Sequence, residues 1–449
     1  MSTEPLEKYE LTWPGKKAAA AEADKLSQKT LIPCREESRE WDTTENLYIE
    51  GENLQVLKLL QDKYHGAVRV IYIDPPYNTG NDFIYHDDFA HSGWCSMMYV
   101  RLLLARNLLA EDGVIFISID ENEQANLKQI CNEVFGEENY LNHFVWVSNM
   151  TGRQISGHGA AKTWESIFAY AKNIEHSPSL TVDVEFAKEK MPDVYKGFHK
   201  DIRTDAYGSF AVGDTLYNHN RKFNEETRPT LVFSIFYNPE TGEIVTGDIG
   251  QAMPGFVELP PHVNGDGVHK YHAWRWSRKK IARESRELIV LPTSNGRYGI
   301  YTKIRNYRTT LLKDIITNIP NGDSELSKLF GGSKYFDYPK STDLMKVLVG
   351  AVDDKEALVL DFFSGSATTA EAVMQMNAED KGRRRFIMVQ VPEVCDEKSE
   401  AYKAGYQNIC EIGKERIRRA GDKIKAKYSG ENAALDIGFK VLKLAGSDE

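Results

Sequence analysis

Three observations predict an α/β protein built on a mostly parallel sheet, with a second domain inserted into it. Strands alternate with helices over residues 46–136, which is the rhythm of βαβ units. The same rhythm resumes at ALVLDFFSGSATTAEAVMQMN, beginning at Ala357. Between the two, from about residue 150 to 330, the chain turns polar and aromatic, with Gly-Asp and Asn-Gly turns and no regular βα order. A chain of 449 residues has room for two or three domains, and its 41% apolar content suits a large core.

The elements follow in order. Residues 1–45 read as a polar leader, helix-prone at AAAAEADKL and without the apolar stretch of a signal peptide. A short strand from Leu47 to Ile49 leads through Gly51, Glu52 and Asn53 into an amphipathic helix carrying Leu54, Leu57, Leu59 and Leu60. Glu52 or Asn53 stands where a helix is capped, and Asn53 could equally meet the edge of an adenine ring. Next comes RVIYIDPPYNTGND, residues 69–82, in which Val70–Ile73 form a buried strand. NTGNDFIYHDDF is then a loop, and WCSMMYVRLLLARNLLAEDG a long helix ended by Gly113. GVIFISIDENE is a further strand, EQANLKQICNEVFG a helix, and HFVWVSNM and ESIFAYAK are strands. After the insert, Ala357–Leu360 form a strand, Asp361–Ser366 a tight loop, and Thr368 begins a helix. RRRFIMVQV is the last predicted strand, followed by the charged helix ICEIGKERIRRAGDKIKAK.

The chemistry concentrates at two strand ends. Proline has no N–H to donate, so the first strand cannot continue its ladder past Pro75. Asp74, Pro75, Pro76 and Tyr77 therefore bring a carboxylate, free carbonyls and an aromatic ring to the carboxyl end of a strand, where open α/β sheets keep their ligands. That set suits a planar amine that must be held, relieved of a proton and stacked. The competing reading is an ordinary proline turn. At the second strand end, Asp361, Phe362, Phe363, Ser364, Gly365 and Ser366 precede a helix whose free N–H groups can cradle an anion or a ribose. The glycine spacing is not that of dinucleotide binders, which argues against a dehydrogenase. Gln390 and Glu393 lie at the end of the following strand, where a ribose-binding acid is usual.

The net charge of −10 excludes a uniformly basic nucleic-acid binder but not a local basic face. Residues 268–315 hold twelve Lys and Arg against three Asp and Glu, interleaved with Tyr and Trp. Arg275, Arg278, Lys279, Lys280, Arg297, Arg305 and Arg308 are the candidate phosphate contacts, a solvated helix face being the plainer alternative. The five cysteines are scattered, without a CxxC pair, so neither a disulfide framework nor a metal site is indicated, and a reducing cytoplasm fits. Cys34 follows a proline, as a cytosine-C5 nucleophile would, but lacks a buried strand before it and reads as incidental. No apolar run approaches the ~20 residues of a membrane span.

DPPY looks like the catalytic motif of amino-methyltransferases, and YPKS (residues 338–341) with DFFSGS resembles their S-adenosyl-L-methionine site. The order of catalytic motif, basic insert and cofactor loop is that of the β-class. LTWPGKK, DPPYNTGNDF, SMMYVRLLLARNLL, GVIFISIDENE, YPKS and DFFSGSATTAEAV together resemble the Mod subunits of type III restriction–modification systems, over residues 10–150 and 335–395. The resemblance implies a Rossmann-like, circularly permuted methyltransferase fold. Its divisions would be a leader (1–45), a catalytic region (46–150), a target-recognition insert (151–330), a cofactor region (331–395) and a helical tail (396–449). It implies transfer of a methyl group from S-adenosyl-L-methionine to N6 of a flipped adenine in double-stranded DNA. Asp74, Pro75, Pro76 and Tyr77 would be catalytic. Asn53, Asp74, Lys340, Ser341, Asp361, Phe362, Phe363, Gly365, Ser366, Gln390 and Glu393 would hold the cofactor. A homodimer and a separate restriction subunit are the implied protein partners. Methylation of cytosine N4, or a silent DNA-binding module, are the alternatives, and Asp in front of Pro-Pro-Tyr leans towards adenine.

Overall fold

The computed structural model describes residues 10–80, 87–149, 160–294, 296–428 and 435–446. The chain forms two compact units, Met1–Lys196 with Thr310–Glu449, and Gly197–Thr309.

The larger unit is built on a ten-stranded sheet. Its order is Lys29–Arg39, Phe439–Gly446, Leu47–Glu50, Arg385–Gln390, Leu358–Asp361, Val68–Ile73, Leu109–Ile119, Glu165–Ala171, Tyr140–Trp146 and Ile315–Ile316. The strands from Phe439–Gly446 to Leu109–Ile119 all run parallel to their neighbours. The inner ones, such as Val68–Ile73 and Leu358–Asp361, are covered on both faces, which explains their apolar runs. Leu358–Asp361 pairs with Val68–Ile73 in the register Val359 to Val70 and Leu360 to Ile71. Two strands nearly three hundred residues apart are thus neighbours, and the chain leaves them in opposite directions across the sheet. Asp361 and Asp74 emerge side by side at that switch point, the usual ligand crevice of an open α/β sheet. Glu165–Ala171 runs antiparallel to Leu109–Ile119 and to Tyr140–Trp146, so Glu165 and Trp146 reach the same edge of the sheet.

Several local expectations change. The long helix spans His91–Leu108 and stops five residues before Gly113; the next strand, Leu109–Ile119, already contains that glycine. Gly113 is no helix stop but a close approach: a Cβ there would lie 2.9 Å from both the Ala110 and Val68 carbonyl oxygens. The leader folds as the helix Lys16–Ala23 and the edge strand Lys29–Arg39, in which Pro33 is tolerated because the strand has a neighbour on one side only. The tail adds the strand Phe439–Gly446 beside it. Cys34 lies buried in that edge strand, where burial and the neighbouring Glu36 push its thiol up to about 11, the opposite of an activated nucleophile.

The smaller unit, residues 197–309, is narrower than the 151–330 expected for the insert, of which 151–159 lie outside the described residues. It holds a four-stranded antiparallel sheet (Leu288–Pro292, Tyr298–Ile304, Gly208–Thr215, Ile202–Asp205) and a three-stranded one (Ile244–Gly247, Ser234–Tyr237, Val257–Leu259). Its core includes Phe233, Ile235, Trp274, Ile281 and Ile300, with the Trp274 indole donating to the Phe233 carbonyl at 2.7 Å.

Candidate active site

A cavity of about 320 Å³ opens at the switch point, lined by Asp74 and Pro76 on one side and by Asp361–Ser366 on the other. The Asp74–Tyr77 segment is fixed from behind. Trp94, fully buried in the helix His91–Leu108, donates its indole N–H to the Pro76 carbonyl at 2.8 Å. Asn78, at φ +60°, exchanges hydrogen bonds with the Phe89 backbone at 2.7 and 3.0 Å. The buried Asp87 carboxylate accepts from the Asn78 and Thr79 amides at 2.7 and 2.9 Å. Residues 81–86 of this loop lie outside the described residues.

The Asp74 carboxylate has two unlike oxygens. Oδ2 lies 2.9 Å from the Lys340 ammonium, which also stands 3.3 Å from Glu165 Oε2. Oδ1 is buried and makes no hydrogen bond among the described residues. The Tyr77 hydroxyl donates to Glu165 Oε2 at 3.0 Å. Burial raises the pKa of Asp74 above the ordinary carboxylate value, and Lys340 opposes that rise. Burial works against the Lys340 ammonium, but the Asp74 and Glu165 carboxylates outweigh it and hold its pKa well above the usual lysine value. Glu165, though burial pushes it up, is pulled below the ordinary range by Lys340 and the Tyr77 hydroxyl. A carboxylate with one oxygen tethered and the other dry and unpartnered is a ready acceptor for an N–H brought into the cavity.

The opposite wall is a cradle. Gly365 has φ +49°, and a Cβ there would stand 3.2 Å from the Phe336 ring. Its amide donates to the Gln390 side chain at 2.7 Å, so Gln390 holds the loop. Gln390 also reaches Glu393, which lines the cavity. The Ser364 hydroxyl is buried without a hydrogen-bond partner among the described residues. Asp361 accepts from Thr369 at 2.6 Å and from the Phe363 amide at 3.1 Å, and burial pushes its carboxyl up to about 7. Glu52, not Asn53, caps its helix, accepting from the Leu54 and Gln55 amides at 3.0 and 3.1 Å. Asn53 donates to the Phe362 carbonyl at 2.7 Å and so ties that helix to the loop. Ser341 is fully buried and donates to Glu325 at 3.0 Å, which locks the segment carrying Lys340.

Sequence reasoning missed three residues here. Glu165 is the one charge at the start of an apolar strand, a signal that was readable. Trp94 looked like core. Arg416 sat in a helix that reads as charged and solvated, yet it is fully buried, bonding Ser366 at 2.8 Å, Thr368 at 2.6 Å and Glu371 at 2.7 Å.

In the smaller unit, Arg305 is paired with Asp205 at 3.0 Å and Glu287 at 2.9 Å, alongside Lys303, which reads as a structural network. Arg275 and Arg278 meet exposed acids, Asp214 and Asp248, at 3.2 and 2.8 Å. Lys280 lies 4.1 Å from the Trp276 ring, and Lys279, Arg297 and Arg308 are exposed.

Asp74 and Pro76 thus share one cavity with the Asp361–Ser366 loop, and Tyr77 is held beside them on Glu165. The chain matches the DNA methylase family over residues 68–418, and it belongs to that family, among the Mod subunits of type III restriction–modification enzymes. It is 35% identical to the EcoPI Mod subunit of Escherichia phage P1, over 97% of this chain and 71% of that protein. It is 30% identical to the EcoP15I Mod subunit of Escherichia coli, over 98% of this chain and 71% of that protein. With the type II methyltransferase M.KpnI of Klebsiella pneumoniae it shares 29% identity, over 85% of this chain and 88% of that protein. Among the described residues no helix is long and apolar enough to cross a membrane.

Proposed function

We propose that this protein is a site-specific DNA methyltransferase that uses S-adenosyl-L-methionine to methylate N6 of adenine in double-stranded DNA. The observation that carries the reading is the Asp74 carboxylate, which lines the same cavity as the glycine cradle and whose Oδ1 makes no hydrogen bond among the described residues. The cradle fits the cofactor: Gly365, at φ +49° and with the Phe336 ring where a Cβ would press, lets the loop backbone line the cavity beside Phe362, Phe363 and Ser366. Phe362, Phe363, Gly365, Ser366 and Glu393 would hold it, with Asp361, Asn53, Gln390 and Ser341 shaping the wall. S-adenosyl-L-methionine supplies an electrophilic methyl group when bound.

The chain's own part is to hold the amine. The adenine N6 lone pair is delocalised into its ring and attacks poorly until the nitrogen pyramidalises. Asp74 Oδ1 accepts one N6 hydrogen. The second goes to the Pro76 or the Pro75 carbonyl; Pro76 lines the cavity, and the bond from Trp94 takes only one of its two lone pairs. Tyr77, its hydroxyl anchored on Glu165, offers a ring on which the base stacks. Positioning and electrostatics supply the acceleration. Reaching N6 requires a base flipped out of the duplex, and stacking offsets part of the unstacking cost of a few kcal/mol.

Arg275, Arg278, Lys279 and Lys280, with Arg297 and Arg308, are the proposed phosphate contacts, which position the duplex without reading its sequence. Duplex DNA, a second copy of the chain and a separate restriction subunit are the proposed partners, in the cytoplasm. The names of the matched Mod subunits support the restriction partner. Methylation-aware sequencing of DNA from cells expressing the protein tests the reading. N6-methyladenine confined to one sequence motif is expected, and unmodified DNA from cells holding folded protein would refute it.

A further inference from the structure

Lys340 belongs to a segment whose resemblance pointed to the cofactor; it lines the cavity, and its charged end pairs with Asp74 and Glu165. Its ammonium bridges Asp74 Oδ2 at 2.9 Å and Glu165 Oε2 at 3.3 Å, and lies 5.0 Å from the centre of the Tyr77 ring. The side chain is only 11% exposed, so these pairings are not the loose surface ones that water screens. Its backbone is held as firmly. Gly322 packs against the Pro339 and Lys340 carbonyls, so closely that a Cβ on it would lie 2.6 Å from the Lys340 oxygen. Thr368 donates to that same oxygen at 3.3 Å, and Glu325 holds the adjacent Ser341 hydroxyl and Thr342 amide at 3.0 and 2.7 Å.

From this geometry we infer that Lys340 is a positioning residue for methyl transfer: it tethers Asp74 by one oxygen and leaves Oδ1 for the amine. The inference rests on the reading of Asp74 as the amine acceptor. Around Asp74 the charged and titratable groups are Lys340, Glu165 on the antiparallel strand, Tyr72 and Tyr77 on its own segment, and Asp361 on the neighbouring strand. Lys340 is the cation in that set. Burial and the Glu165 carboxylate disfavour ionisation of Asp74, and Lys340 is the main group that opposes them, with the Tyr77 hydroxyl as the smaller one. Glu165 has a complementary part. Its Oε2 faces the Lys340 ammonium and accepts from the Tyr77 hydroxyl as well, so one carboxylate oxygen aligns both the tether and the stacking ring.

Removing the ammonium raises the Asp74 pKa, so the competent carboxylate form is reached only at higher pH, and the acid limb of the rate profile moves up. A neighbouring cation shifts a carboxylate by about 1–3 pH units, and each unit lowers the rate on the acid side about tenfold.

The test compares Lys340→Met and Lys340→Arg with the unaltered protein. Three readouts are taken: S-adenosyl-L-methionine affinity by calorimetry, the pH profile of single-turnover methylation of duplex DNA, and the carboxyl ¹³C titration of Asp74, assigned with Asp74→Asn. For Lys340→Met we expect near-unchanged cofactor affinity, an acid limb and an Asp74 titration both moved upward, and partial recovery of rate at high pH. Lys340→Arg, which keeps the cation, reverses most of that upward shift. Cofactor affinity falling in step with the rate would overturn the inference by making Lys340 a cofactor ligand. An Asp74 titration unmoved in Lys340→Met would overturn it too. The carboxyl titration needs no turnover. A protein that fails to methylate adenine while its Asp74 titration still moves would therefore refute the proposed function and leave the Lys340 tether standing.

Discussion

Replacing Arg416 by methionine tests whether the cofactor loop is built from the far helix. The guanidinium is fully buried and bonds Glu371, Ser366, Thr368 and Thr342, at 2.7, 2.8, 2.6 and 3.3 Å. Methionine fills much of the volume but leaves Glu371, itself only 6% exposed, as a buried carboxylate without its cation. Breaking such a pair from one side costs about 3–5 kcal/mol, against a typical total stability of about 5–15 kcal/mol. With a urea slope of about 3 kcal/mol per molar, the unfolding midpoint of the larger unit should fall by about 1–2 M. The double variant Arg416→Met, Glu371→Leu removes both charges and should regain most of that loss, because an apolar pair of similar volume leaves nothing unsatisfied. Cofactor affinity should stay low in both variants, since neither restores the bonds to Ser366 and Thr368. Urea melts followed by fluorescence, with calorimetry of cofactor binding, read both effects. A single variant as stable as the unaltered protein, or a double no better than the single, would refute the reasoning.

Asp74→Ala should abolish methylation while cofactor binding largely survives; calorimetry in which binding and turnover vanish together would reassign the carboxylate to the cofactor. Gly365→Val should weaken cofactor binding, since Phe336 lies 3.2 Å from any Cβ there and φ is +49°, and unchanged affinity in a folded variant would place the cofactor elsewhere. Asp361 has a carboxyl raised from 3.8 to about 7, so the folded state keeps a proton that the unfolded chain has already released. Its contribution to stability is therefore fully present below the unfolded pKa and declines as pH rises towards about 7, a dependence that Asp361→Asn should flatten in urea melts taken across that range. Alanine at Arg278, Lys279 and Lys280 together should lower DNA affinity more at low salt than at high. The slope of log K against log salt should shrink by about 0.9 for each phosphate that is no longer neutralised. An unchanged slope would remove these three residues from the DNA face.

Much of the larger unit was legible because its strands are buried on both faces. Runs such as Val70–Ile73 and Val359–Leu360 can hardly be anything else, and proline after Asp74 marks where the ladder ends. The closeness of the two strand ends was readable only through the resemblance, since local pattern carries no pairing information. What stayed hidden was set by long-range partners. The helix ending at Leu108 rather than Gly113 depends on the strand that follows being extended to pair with Val68. Lys29–Arg39 and Phe439–Gly446 are mixed-polarity strands near the sheet edge whose alternation is too weak to stand out from a polar leader or tail. Arg416 reads only as one charge in a charged helix, and Lys340 was legible only through the YPKS resemblance, as a cofactor contact; only the fold supplies Glu371, Asp74 and Glu165 as their partners. Among the basic residues of the smaller unit, the acids that occupy Arg305 come from residues 205 and 287, which no count over residues 268–315 could reveal in full.

The central claim is that this site methylates the amino group of adenine. Duplex DNA incubated with the purified protein and methyl-labelled S-adenosyl-L-methionine, then digested to nucleosides and resolved by mass spectrometry, addresses it most directly. Label confined to N6-methyladenine, and absent with Asp74→Ala, is the predicted result. Label in N4-methylcytosine, or none at all from protein that binds the cofactor, would contradict it.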